Sequence, residues 1–172
     1  MGNRIFFILW ASFGGALLAG LLLAVAFPPP AAAGIGNLRP AVLDRKKAQG
    51  FTLIRTDKRS GYTALTFQKS QPAVFPGGPQ RTLTVREFFD SSDRSFAVVW
   101  RGSLRPDLTE LLGNLYSHLP PVNRTPNRHR LFFQDNRLLI SVVGNSHVQG
   151  GVSWDQRYLP PGLSPSRLRI VP

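Results

Sequence analysis

Three histidines, nine carboxylates and no cysteine make up most of the groups that could do chemistry in this 172-residue chain. Without cysteine there is no thiolate nucleophile, no disulfide and no cysteine-ligated metal. His118, His129 and His147 lie far apart in the chain. No two of them have the spacing that puts a ligand pair on one helix face. A serine–histidine–aspartate set could be drawn from Ser146, His147 and Asp155. Adjacent side chains on an extended segment point to opposite sides, so Ser146 and His147 would not meet. Their surroundings, GNSHV, are not the G-x-S-x-G elbow. Neither a P-loop nor a G-x-G-x-x-G turn is present. The chain is therefore expected to be no enzyme, with no catalytic residue, no metal and no cofactor. Hydrolysis is the distant alternative.

Recognition is a better use of what remains. The segment GNSHVQGGVSWDQRYLP, residues 144–160, joins glycines to His147, Trp154, Arg157 and Tyr158. Glycine lets backbone approach a ligand closely, and Trp, Tyr and Arg are the side chains most often found at binding hot spots. Those four residues are the expected binding site. Trp154 could equally cover one end of a core.

The N-terminus states an address. After MGNR comes an uncharged run from Ile5 to Phe27, then PPPAAAG. A basic start, an apolar run and Ala31-x-Ala33 describe a secretory signal peptide cut between Ala33 and Gly34. The run is also long enough to span a bilayer as an uncleaved anchor. Export to the periplasm or beyond is expected if it is cut, and anchorage in the inner membrane with the domain in the periplasm if it is not. Net charge is +12, and loss of residues 1–33 removes only Arg4, leaving +11. Such an excess attracts anions. The basic residues are scattered, the densest run being DRKK at Asp44–Lys47.

The chain from Gly34 onward is long enough to bury one core. Residues 34–50, rich in Gly, Pro and basic residues, read as a flexible leader with a short helical possibility at AVLDRKKA. A hairpin follows across Phe51–Lys69, turning at DKRSG, and then a Pro/Gly loop over 70–80. RTLTVREFFD alternates as a half-buried strand. In RSFAVVWRG, Phe96, Val98 and Trp100 share a face while Ala97 and Val99 make the other face apolar, so this strand is central. Leu104, Leu108, Leu111, Leu112, Leu115 and Leu119 form one stripe, predicting a long amphipathic helix with Pro106 in its first turn and Gly113 inside it. LFFQDNRLLISVVG gives a hairpin about QDN, and Gly150–Pro160 a last strand. The expected fold is α+β: a mainly antiparallel sheet with one long helix packed on it, over residues 51–165, and a tail at 166–172.

Several of these strings have a counterpart. Val85-Arg86-Glu87-Phe88, Phe96 to Gly102, Pro106-Asp107-Leu108, Leu111-Leu112-Gly113 and Tyr158-Leu159-Pro160 resemble a family of small exported proteobacterial proteins known as domain of unknown function 2844. The resemblance spans roughly residues 51–165. It departs at Val148-Gln149, where the family tends to a Met-Arg pair. It implies export and a shared fold, and it implies no activity. The expected function is a non-enzymatic binding or assembly factor of the cell envelope, acting on an envelope protein or an anionic envelope component. The alternative is an electrostatic binder of anionic envelope polymers or lipids. No specific nucleic acid is expected as partner, and membrane contact only through an uncleaved N-terminal segment.

Overall fold

The computed structural model describes residues 34–123, 130–145, 147–164 and 168. The signal peptide or anchor, His129, Ser146 and most of the tail lie outside the described residues. Seven strands form one antiparallel sheet: β1 Thr52–Arg59, β2 Tyr62–Gln71, β3 Arg81–Phe89, β4 Ser95–Gly102, β5 Arg130–Gln134, β6 Leu138–Gly144 and β7 Gln149–Asp155. Their order across the sheet is β1-β2-β3-β4-β7-β6-β5. β4 is the central strand, as expected from its two apolar faces, and its residues Ser95–Trp100 are all buried. One detail of that strand differs. The register slips between Phe88 and Phe89, so Phe96 has no cross-strand partner on β3. It drops out of the Val98–Trp100 face and packs with Ala97 and Phe88 instead.

The sheet is covered on both faces. On one side Leu83, Val85, Val98, Trp100, Leu138, Ile140 and Val142 pack under the leucine stripe. On the other, Ala64, Phe88, Ala97 and Val99 meet Trp154, Tyr158, Leu159, Leu163 and Leu168. The chain after β7 is therefore a strap over the second face, and Leu168, expected in a free tail, is buried in that second core.

The long helix does not form. Its α-helical part, α2, is Leu108–Leu112 alone, followed by a 3-10 helix over Gly113–His118. Gly113 sits at φ 56° and ψ −130°, a conformation that ends the α-helical ladder and that glycine tolerates best. Pro106 is not in the first turn but ahead of the cap. Asp107 is the N-cap, and its carboxylate accepts from the N–H groups of Thr109 at 2.8 Å and Glu110 at 3.4 Å. The stripe is nonetheless buried, because the 3-10 turn keeps Leu115 and Leu119 on the side that Leu111 and Leu112 face.

A second correction concerns residues 34–50. Arg39–Ala48 form a helix, α1, docked on the sheet beside β2 and β3, with Val42 against Leu65, Phe67 and Phe89. Three ties hold the approach to it. Gly36 N–H donates to Ser95 O at 2.7 Å, Leu38 bridges Arg94, and Arg39 pairs with Asp93 at 2.7 Å. Arg45, Lys46 and Lys47 occupy the last turn, where cations oppose the helix dipole favourably. With so few apolar positions, α1 is stable only because it is docked.

Candidate functional site

Lys46 explains why α1 seats where it does. Its side chain is 2% exposed, and its Nζ lies 4.0 Å from Oε2 of Glu87, itself 1% exposed on β3. Ser95 donates its hydroxyl to Oε1 of Glu87 at 2.8 Å. Burial lowers the Lys46 ammonium from its ordinary value, against the pull of Glu87 and Glu110. Burial likewise raises the Glu87 carboxyl, against Lys46 and the Ser95 hydroxyl. Two charges taken out of water this far hold each other in place.

Beside this pair, between α1, the β2–β3 loop and the start of α2, the surface opens into a cleft of about 820 Å³. That is the size of a small-molecule site. Lys46 comes from α1, Gln49 from its C-cap, Phe51 from the turn after it, Lys69 and Gln71 from β2, Arg81 and Leu83 from β3. Ser103 to Asp107 with Glu110 and Leu111 form the opposite wall, the β2–β3 loop adds Val74 and Phe75, and His147 reaches the rim.

The charges in this lining do not cancel. Asp107 is committed to the α2 cap, Glu110 lies 3.8 Å from Arg45, and Lys46 is matched by Glu87. Lys69 and Arg81 have no carboxylate partner among the described residues. Lys69 Nζ instead sits 5.7 Å from the centre of the Phe51 ring, which Lys46 Nζ approaches to 5.1 Å. Arg81 donates to Gln71 Oε1 at 3.1 Å and keeps a buried Nε without an acceptor among the described residues. A buried cationic N–H without a partner is costly unless something supplies one.

The apolar part is equally uneven. Val74 and Phe75 are 74% and 63% exposed. Their loop is shaped by Gly78, where a Cβ would stand 2.8 Å from the Phe75 ring. The ring thus lies against bare backbone at the lip of the cleft.

Of the four expected binding residues, the structure brings three together and leaves the fourth apart. His147 lies in the β6–β7 loop, an Asx turn in which Asn145 Oδ1 accepts from the N–H groups of His147 and Val148 at 2.8 and 2.9 Å. Trp154, Arg157 and Tyr158 lie at the far end of β7, about 20 Å away at strand rise. Trp154 is half-buried in the second core. Arg157 grips the buried Asp155 through Nε at 3.0 Å and Nη2 at 2.7 Å. The Tyr158 ring lies 4.9 Å from the Arg157 guanidinium and 5.1 Å from that of Arg94. These contacts pin the turn that starts the strap, and the Arg157 side chain stays 43% exposed. His118, in the last turn of the 3-10 helix, reaches across to Asp135 in the β5–β6 turn at 3.3 Å.

Sequence reasoning missed Lys46, Lys69, Phe75 and Arg81. One signal was available: a Pro/Gly loop that carries exposed Val and Phe between two cations has no folding reason to do so. Residues 39–168 match the family described as "Protein of unknown function (DUF2844)". The chain belongs to that family. No curated protein and no solved structure matches it. The match begins at Arg39, so α1 and its buried Lys46 belong to the family domain along with the sheet.

Proposed function

We propose that this DUF2844 protein is an exported, non-enzymatic binding protein of the cell envelope that receives a negatively charged partner in the cleft. The observation that carries this is the pair Lys69 and Arg81, cations without carboxylate partners among the described residues, set in a concave wall beside exposed Val74 and Phe75. A concave site with a few fixed polar groups in an apolar lining is the ordinary form of a ligand pocket. Export rests on the N-terminal sequence: Arg4, the uncharged run Ile5–Phe27 and the Ala31-x-Ala33 site.

The second reading has its own observation, the excess of 21 Lys and Arg over 9 Asp and Glu. Under it, anionic polymers or lipids are held by the whole basic surface. One titration separates the two. Tripolyphosphate, a compact multivalent anion, should bind the full-length protein with an affinity that falls as salt rises. Reversing cleft charges with Lys69→Glu and Arg81→Glu should weaken it at least about tenfold. Reversing Lys58 and Arg59 on the exposed edge strand β1 should change it about twofold or less. Equal losses from both pairs would remove the cleft reading and leave the diffuse one.

A further inference from the structure

The cleft does not resemble a site for a bare anion. Its cations stand at the inner wall, with Lys69 beside the Phe51 ring and Arg81 bound to Gln71, while Val74 and Phe75 project at the lip. A purely ionic ligand would leave those two side chains in water. Among the described residues neither joins a core cluster. Leu83 and Leu104 continue the apolar surface inward.

We infer that the ligand of this cleft is an amphipathic anion: a hydrocarbon chain ending in a phosphate or carboxylate. The head group is held by Lys69 and Arg81, and the first methylenes lie along Phe51, Val74 and Phe75. The inference rests on the cleft being the binding site and adds the class of molecule it takes. Guanidinium and ammonium suit either head group, because both present oxygens that accept charge-assisted hydrogen bonds. The chain supplies what these contacts do not: each buried methylene is worth about 0.8 kcal/mol, close to fourfold in affinity.

Calorimetric titration of the full-length protein tests this with octyl, decyl and dodecyl phosphate below their micelle concentrations, dodecanoate, inorganic phosphate and dodecyl maltoside. The alkyl phosphates should bind at least about a hundredfold more tightly than inorganic phosphate, with affinity rising about two- to fourfold per methylene. The neutral maltoside should bind at least about tenfold more weakly than dodecyl phosphate. Dodecyl phosphate against dodecanoate shows which head group is preferred, and binding of either supports the class. Lys69→Gln with Arg81→Gln should remove the head-group preference, and Phe75→Ser should flatten the chain-length series while tripolyphosphate binding persists. Any contribution of the apolar N-terminal run is common to wild type and variants and cancels in the comparison. Inorganic and alkyl phosphates binding equally, both lost in Lys69→Gln/Arg81→Gln, would overturn the amphiphile and leave an anion cleft. Chain-length dependence that all these variants preserve would overturn it too, by placing the chain elsewhere. Loss of every cleft-dependent signal, tripolyphosphate included, would instead overturn the reading on which it rests.

Discussion

Lys46→Ala is expected to lower the folding free energy by about 3–5 kcal/mol at neutral pH, a large part of what a domain of this size possesses. The substitution removes the cation that faces a carboxylate only 1% exposed, leaving Glu87 held by Ser95 alone among the described residues. The loss should depend on pH in a definite direction. Glu87 already stands above its ordinary value of 4.5 because of burial, and without Lys46 it rises further. A carboxyl raised in the folded state contributes fully below its unfolded value, and that contribution is lost as pH climbs through the folded one. The deficit should therefore be smallest near the ordinary carboxyl value and reach its plateau at higher pH. Lys46→Met combined with Glu87→Leu should recover most of the stability, since an apolar pair of similar volume avoids both desolvation penalties. Urea melts across pH check each part. A Lys46→Ala variant with less than about 1 kcal/mol of loss at neutral pH would show that α1 is not seated on Glu87 as described.

Leu112→Ala should cost about 2–5 kcal/mol. Leu112 is completely buried at the last position of α2, where the chain leaves the α-helix for the 3-10 turn. The segment has little freedom to close a cavity there. Asp107 fixes its start, Gly113 fixes the turn after Leu112, and Ile35 N–H reaches Leu111 O at 3.4 Å. The cavity component should therefore be near the high end of its range. Denaturant unfolding should show a lower midpoint with an unchanged slope. A shift worth less than about 0.5 kcal/mol would mean that the leucine stripe is not packed on the sheet.

The two variants also mark where the sequence could and could not be read. Leu112 was legible: the stripe from Leu104 to Leu119 shows its burial whatever helix carries it. The length of that helix was not, because periodicity reports which residues face the core and is silent about the φ of Gly113. The hairpins at DKRSG and QDN and the two-faced β4 followed from alternation and turn chemistry, which are local. β3 reads as half-buried by the same alternation, yet Val85 to Phe89 are all buried because the sheet is covered on both faces. α1 escaped because much of its hold on the sheet is an ion pair between Lys46 and the distant Glu87, and a lysine in a basic stretch reads as solvated. Glu87 showed only as an odd charge on the apolar side of an alternating strand. The cleft was the least legible feature. Its walls come from α1, β2, β3, two loops and the lead-in to α2, so no short window of sequence contains it. His147 was chosen for its glycines, and it does reach the rim. Trp154, Arg157 and Tyr158 suit a binding surface by residue type and by the glycine-rich segment that carries them, and in the fold they contact Asp155, Arg94 and the second core.

That contrast is directly measurable by two-dimensional amide NMR of the full-length protein during a titration with tripolyphosphate. Shift changes should concentrate at Phe51, Lys69, Phe75, Arg81 and His147, saturate together with one dissociation constant, and leave Trp154, Arg157 and Tyr158 unmoved. Changes centred on Trp154 to Tyr158, or spread evenly over every exposed Lys and Arg, would contradict the cleft as the place where this protein meets its ligand.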